Sequence, residues 1–402
     1  MKILINISNS EDYGFFQRFY EEFYKKNIEI EYLANNLFIY LFLKIKREKI
    51  YLIKKDTYER FDEVSFSELT KRLTHEEAEW VYGSFKKFME KQYKKRKWDL
   101  VIIPSGRLIN QIAISDVAEK YNIKTLYVGY GNIPDRTFVD PQGTDKQSSL
   151  FSNINILNNY QVTEKEYNSW REEYLTKKFK SHKIGQARNL DAKVKIKKFI
   201  QINFCYLERI FGIAAENSYH FSDMKTFKKV EYQADTFDYK EEFIFFPMQV
   251  STDAQIILNY NKKNILDGLK EAIRISKEKR KRLVIKMHPA EINQDVICEV
   301  LKLKEKENII ISSNNTFELI KKSSEVITIN STVGLESRIV GKKVTFLGDS
   351  IYKNMNNQQM KNYIMSYLLH MEYFSSGKIS RKTYEEFINR AGMGKKYIKY
   401  KV

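Results

Sequence analysis

Three short polar clusters each follow directly on an apolar run. They are Pro247-Met248-Gln249-Val250-Ser251-Thr252-Asp253, Lys286-Met287-His288-Pro289-Ala290-Glu291 and Asn330-Ser331-Thr332-Val333-Gly334-Leu335-Glu336. The third has the plainest chemistry. A helix opened by Ser331 or Thr332 as N-cap presents unpaired N–H groups and the positive end of its dipole, which together make a site for an anion such as phosphate. Asn330 ends the strand before it, Gly334 lets the backbone come close, and Glu336 lies one turn in, placed to accept hydrogen bonds from ribose hydroxyls. In the second cluster Pro289 bars His288 from helical geometry. His288 and Lys286 together suit the neutralisation of a phosphate or a leaving group. In the first cluster Gln249 and Asp253 are four residues apart and share a side if a helix follows. A carboxylate there can act as nucleophile, base or electrostatic stabiliser. Each feature has a plain counterpart: an ordinary capped helix, a structural histidine, an acidic residue opening a helix. Three clusters at three strand ends are harder to dismiss than one.

The elements that position these clusters follow from periodicity. From Glu242 onward apolar strands alternate with helical patterns: strands at 243–247, 283–286, 309–311, 326–329 and 344–347, helices at 264–279, 295–304, 316–323 and 332–339. That alternation predicts a parallel, doubly wound sheet, in which ligands bind beyond the carboxyl ends of the strands. A second such unit is predicted at the start of the chain, with strands at 2–8, 28–33, 99–104 and 125–128 and helices at 13–26 and 108–121. Between them, residues 160–235 carry no clear strand and read as helices and linker. Ile196, Phe199, Ile200, Phe204, Leu207, Ile210 and Phe211 form an apolar stripe at helical spacing. Core packing is the plain reading of that stripe, and attachment to a membrane surface is the sharper one.

With 402 residues, 43% of them hydrophobic, the chain suits two domains. No apolar run approaches the length of a spanning helix; Leu37 to Leu43 is the nearest. The first residues read as a buried strand rather than a leader segment. Two cysteines, Cys205 and Cys298, in no metal-like spacing suggest a reducing cytoplasm. The net charge of +18 favours an anionic partner. Basic runs at 91–97 and 177–198 read either as solvated helix faces and linker or as contacts to such a partner. Charge alone, without a recognition motif, does not make a nucleic-acid binder. No Asp-x-Asp pair is present to hold a diphosphate through a metal, so neither a metal nor a cofactor is expected.

The three clusters, followed by Gly341-Lys342-Lys343-Val344 and Leu347-Gly348, resemble the capsule polysaccharide biosynthesis family, which includes retaining β-Kdo transferases of bacterial capsule and lipopolysaccharide assembly. The resemblance runs over residues 240–355. It extends more loosely to Gly14-Phe15-Phe16 with Phe19, and to Gly131-Asn132-Ile133-Pro134 through Asp140-Pro141-Gln142-Gly143. It implies an α/β, GT-B-like chain of two Rossmann-like doubly wound domains facing a central cleft. Residues 1–159 would be an acceptor domain, 160–240 a helical and basic linker, 241–355 a nucleotide-sugar domain, and 356–402 C-terminal helices packing back. The donor implied is CMP-Kdo, or a related CMP-sugar, and the acceptor a glycolipid, lipid or saccharide, met in the cytoplasm or at the inner face of the inner membrane. An anionic lipid acceptor or membrane surface fits the net charge. Asp253 matches the family's catalytic carboxylate. Lys286, His288, Asn330, Ser331 and Thr332 would surround the nucleotide phosphate, Glu336 would meet the ribose, and Gln249 would line the pocket.

One departure is visible. Related enzymes often place a Glu before the turn that follows 125–128, where this chain has Val128-Gly129-Tyr130-Gly131. Asp135, Asp140 and Asp145 are the carboxylates that stand in its vicinity. Two alternatives therefore accompany the leading expectation. One is a transferase using another nucleotide sugar. The other is a non-catalytic capsule-assembly protein with a vestigial nucleotide pocket.

Overall fold

The structure, a computed structural model, describes residues 1–180, 192–216, 232–235, 237–262 and 264–392. These fall into two compact units. The first comprises residues 1–161, 192–216 and 357–392, the second 162–180, 232–235, 237–262 and 264–356.

The first unit holds a six-stranded sheet: β1 (Lys2–Ile7), β2 (Glu29–Ala34), β3 (Ile50–Tyr51), β4 (Leu100–Pro104), β5 (Lys124–Tyr130) and β6 (Thr137–Asp140), in the order β3-β2-β1-β4-β5-β6. All pairings are parallel except β5 with β6. Leu100–Pro104 is buried at every position, as a central parallel strand covered on both faces must be. The second unit holds β7 (Phe243–Pro247), β8 (Arg282–Lys286), β9 (Ile310–Ile311), β10 (Glu325–Thr328) and β11 (Lys343–Phe346), all parallel, in the order β11-β10-β7-β8-β9. Counted within its own unit, each sheet sets its first five strands in the order 3-2-1-4-5, which is the Rossmann arrangement, and the first sheet adds β6 beyond them. The expected pair of Rossmann-like domains is therefore present.

Several local expectations need correction. The helix expected over 13–26 is two helices, Ser10–Gln17 and Tyr20–Lys25. Asn9 caps the first, accepting from the Asp12 N–H. The chain breaks at Arg18, whose guanidinium donates to the carbonyls of Glu372 (2.6 Å) and Gly377 (2.9 Å). The Phe15-Phe16-Phe19-Phe23 set is fully buried, with Phe15 stacked on Tyr373 and Phe19 against Phe387. β3 and β6 are too short to register as period-2 patterns. The run 91–97 is the last turn and C-cap of a 22-residue helix, His75–Arg96, opened by a Thr74/Glu77 capping box. Its lysines sit where cations offset the helix dipole.

Most described members of the stripe in 196–211 are not core. On the helix Ala192–Ile210, Ile202, Cys205 and Glu208 point inward, while Ile200, Leu207, Ile210 and the following Phe211 are exposed. Phe204 is half-buried against Phe38, and the side chains of Ile196 and Phe199 lie outside the described residues. Most of the basic run 177–198 also lies outside them. Of its described members, Lys177 pairs with Glu173 and Lys178 with Glu336.

Gly334 is a packing residue rather than a point of ligand approach. A Cβ there would collide with the Phe346 ring and reach 3.0 Å from Thr328 Cγ2, so glycine is what lets the helix Thr332–Val340 lie on β10 and β11. Gly334→Ala is expected to destabilise the protein by about 1–3 kcal/mol, the range for overpacking a filled core. Chemical denaturation checks this, and an unchanged midpoint would show that Phe346 moves aside freely.

Candidate functional site

In the second unit the order of strands reverses between β7 and β10. In sheets of this order such a switch point is where ligands bind, outside the carboxyl ends of the strands. Gln249 and Asp253 follow β7; Asn330 and Ser331 follow β10. The structure joins them across that switch point. Gln249 Nε2 donates to Asn330 Oδ1 (3.4 Å), and Gln249 Oε1 accepts from the Asn330 N–H (3.4 Å). The same Nε2 donates to Asp253 Oδ2 at 3.1 Å. Gln249 and Asp253 do not meet on one face of a helix, as the spacing suggested. They meet across a turn, because the helix Ala254–Asn259 starts only after Asp253. Asp253 is its N-cap: Oδ1 accepts from the Gln255 N–H at 2.9 Å. One oxygen therefore anchors the carboxylate and the other faces Gln249.

Asn330 is buried, and its amide donates to the carbonyls of Gln255 (2.7 Å) and Asp349 (3.4 Å). It ties the ends of β7, β10 and β11 together and holds Gln249 in place. Ser331 caps the helix Thr332–Val340, its Oγ accepting from the Val333 N–H at 3.2 Å, and Thr332 is the first helical residue.

His288 lies in the turn after β8, half-buried. Its Nδ1 accepts from the Ala290 N–H at 3.1 Å, which leaves the proton of the neutral ring on Nε2. Burial lowers its pKa below the ordinary value, partly offset by Asp253 and Glu291 nearby. Lys286, at the end of β8, donates to the Asn314 carbonyl at 2.6 Å, and burial lowers its pKa as well.

Glu336 stands apart from these groups. It is buried and accepts from Tyr174 Oη (3.1 Å) and Lys178 Nζ (2.8 Å), both on the helix Glu164–Lys180. Burial and the carboxylate of Glu336 push the Tyr174 phenol well above its usual range. Neither Tyr174 nor Lys178, the latter read only as part of the basic run 177–198, is linked to Glu336 by any local pattern, since they lie some 160 residues from the cluster they touch. Glu291 was also passed over as a group with a part to play. It is buried and accepts from the Ser251 N–H (2.6 Å) and Oγ (3.2 Å) and from the N–H groups of Ile292 and Asn293. It locks the loop after β7 to the loop after β8.

In the first unit the three carboxylates near Gly129 differ in their commitments. Asp140 is buried and accepts from three backbone N–H groups, Ser149 Oγ (2.6 Å) and Tyr367 Oη (2.8 Å). Asp145 is paired with Arg107, and Asp135 sits in a turn with φ of 60°. Among the described residues no group of three or more His, Cys, Asp or Glu side chains is arranged to hold a metal ion. No described helix is long and apolar enough to cross a membrane.

Comparison with known proteins finds several to which this chain is similar. Protein FixF of Sinorhizobium fredii (strain NBRC 101917 / NGR234) is 35% identical over 117 residues, 27% of this chain and 27% of that protein. The match thus spans little more than a quarter of the length of that relative. Among solved structures, the β-Kdo 2,7 transferase of Thermosulfurimonas dismutans KpsC aligns over 90% of this chain and 89% of its own, at 13% identity and a TM-score of 0.40. The β-Kdo 2,4 transferase of the same KpsC aligns over 67% and 80%, at 13% identity and a TM-score of 0.36. UDP-GlcNAc 2-epimerase of Methanocaldococcus jannaschii aligns over 98% and 100%, at 15% identity and a TM-score of 0.31. The family model described as capsule polysaccharide biosynthesis protein matches residues 99–358, well over half of the chain and including all three clusters. This chain belongs to the capsule polysaccharide biosynthesis family.

Proposed function

We propose that the protein is a retaining glycosyltransferase that moves Kdo, or a related sugar, from a CMP-sugar to a glycolipid, lipid or saccharide acceptor in capsule assembly. It would work in the cytoplasm at the inner face of the membrane. The observation that carries this reading is the Gln249–Asp253–Asn330 network at the switch point beside the Ser331-capped helix. Such a switch point pairs an anion site, where the donor phosphate is held, with an oriented carboxylate. Ser331, Thr332 and Lys286 hold the phosphate. His288 donates to it from Nε2 as CMP departs. Asp253 approaches the anomeric carbon from the opposite face, as nucleophile or as stabiliser of the developing positive charge. Gln249 holds the carboxylate in aim, and Asn330 holds Gln249. Glu336, kept ready by Tyr174 and Lys178, receives the ribose hydroxyls. The choice of CMP-Kdo rests on the ordered motif resemblance rather than on the geometry.

A thermal-shift panel of CMP, CDP, UDP and GDP tests the donor. A ligand that binds only the folded state raises its stability by mass action, by about 2.7 kcal/mol at a hundred times Kd. CMP is expected to give a clear upward shift, with UDP and GDP giving much smaller ones. Equal shifts with every nucleotide, or a shift with UDP alone, would exclude the CMP-sugar donor and leave the fold assignment standing.

A further inference from the structure

Among the described residues fifteen large hydrophobic side chains are exposed, and seven of them belong to two neighbouring helical segments of the first unit, Leu37–Ile45 and Ala192–Ile210 with the adjoining Phe211. Eight of the nine residues of Leu37–Ile45 are aliphatic or aromatic, yet only Ile39 and Leu43 are buried. A helix that is hydrophobic all round normally lies inside a core or in lipid. Ile45 is 83% exposed, Ile210 74% and Phe211 56%. The two helices are coupled: Phe38 meets Phe204 edge to face with centroids 5.4 Å apart, and the Leu37 N–H donates to the buried Glu208 at 2.7 Å. On helical spacing, Phe38, Leu41, Phe42 and Ile45 share one face, and Ile200, Phe204, Leu207 and Phe211 share another. The Phe38–Phe204 contact joins those faces into one apolar surface. Contiguous apolar surface of this kind on a folded domain marks an interaction site.

The rim of that surface is cationic. Lys44, Lys46 and Arg47 close the first helix and Arg209 the second, all exposed. Exposed Lys54 is held alongside by the bridge between Lys54 and Ile213 and by the Lys55 N–H donating to the Gly212 carbonyl at 2.7 Å, immediately after Phe211. Apolar side chains ringed by Lys and Arg complement the boundary of a bilayer that carries anionic headgroups.

We propose that this paired-helix face of the first unit docks the protein on an anionic membrane, with Leu41, Ile45, Ile210 and Phe211 entering the headgroup–acyl boundary and the Lys/Arg rim meeting the headgroups. The proposal deepens the membrane side of the function given above and rests on it for the place of action. It moves the contact from the basic run at 177–198 to the exposed part of the apolar stripe that follows it, and adds to that stripe the helix Leu37–Ile45.

Vesicle flotation with the full chain tests it. Wild type should float with phosphatidylcholine vesicles containing phosphatidylglycerol, much less with phosphatidylcholine alone, and less as salt rises, because surface attraction is screened within about 8 Å at physiological ionic strength. The double variant Ile45→Glu/Phe211→Glu alters exposed positions and should lose at least about tenfold in vesicle affinity, as burial of two large apolar side chains is removed. Its thermal stability and its CMP-induced shift should match wild type, since the nucleotide site belongs to the other unit. Absence of binding by wild type, or undiminished binding by the double variant, would overturn the proposal. So would concentration-dependent self-association in sedimentation velocity that the variant abolishes, which would assign the face to a second copy of the chain. Failure of CMP to stabilise a protein that still floats would strike the donor assignment alone.

Discussion

Replacing Asp253 by Asn should leave nucleotide binding nearly intact and lower sugar transfer at least about a thousandfold, equivalent to about 4 kcal/mol of transition-state stabilisation. The structure makes this substitution a clean test. Asp253 Oδ1 caps the helix Ala254–Asn259 through the Gln255 N–H, and an Asn side chain oxygen can keep that bond. The change falls on Oδ2, which accepts from Gln249 Nε2. There the variant places an NH₂ against the Gln249 NH₂ and one hydrogen bond is lost, since Gln249 keeps its orientation through its two bonds to Asn330. Shape and capping survive while the negative charge is removed. Initial-rate measurements on CMP-sugar and acceptor, beside CMP binding by calorimetry, separate the two effects. In wild type, brief incubation with donor should add the mass of one sugar to the peptide carrying Asp253. If Asp253→Asn turns over like wild type, the nucleophile is elsewhere; if it unfolds, the carboxylate serves only as the cap.

His288 is expected to produce the second largest effect. Its two ring nitrogens have separate tasks: Nδ1 accepts from the Ala290 N–H, and Nε2 carries the proton available to a phosphate. A hydrogen bond to a charged group contributes about 1.5–3 kcal/mol, so His288→Ala should weaken CMP binding by about ten- to a hundredfold. His288→Asn can keep the turn bond at the Nδ1 position and should lose as much affinity as Ala. His288→Gln can keep a donor near the Nε2 position and should lose less. Equal affinity in all four proteins would make His288 a turn residue only.

The pH dependence has a defined sign. Burial lowers the His288 pKa below 6.5, so the ligand-free protein holds the ring neutral at pH 7. This contributes stability that is present above pH 6.5 and lost as pH falls through the lowered value. A bound phosphate draws the pKa upward, so binding takes up a proton in acid. The ratio of wild-type to His288→Gln affinity should therefore increase as pH is lowered from 7.5 towards 5.5. Taking that ratio cancels the protonation of CMP itself, whose phosphate titrates near pH 6.

The strands of the second unit were legible because each is a short, fully apolar run punctuated by a polar cluster. Phe243–Pro247 is buried at every position, and its period and boundaries coincide. The helix expected at Thr332 begins at Thr332, because Ser331 supplies its cap in the sequence itself. Elements whose signal depends on distant partners were not legible. β3 is two residues long and exists because it pairs with β2. The helix Leu37–Ile45 reads as an apolar run of undecided type, and the amphipathic stripe at 196–211 gives no sign of which way it will face.

The chemistry divides along the same line. Residue types and spacing by themselves determined that Asp253, His288 and Ser331 stand at strand ends of one doubly wound sheet, because alternation and capping are local properties of the chain. Only the tertiary structure decided which of them meet. Gln249 reaches Asn330 because β7 and β10 are neighbours, although 81 residues separate them. Glu336 is held by Tyr174 and Lys178 because the helix Glu164–Lys180 packs within the second unit. The apolar stripe faces outward because Ile202, Cys205 and Glu208, rather than the more hydrophobic side of the same helix, take the places against the body of the first unit. A hydrophobic pattern specifies that a face will leave water; whether it leaves water for the core or for a partner depends on what the rest of the fold has already buried.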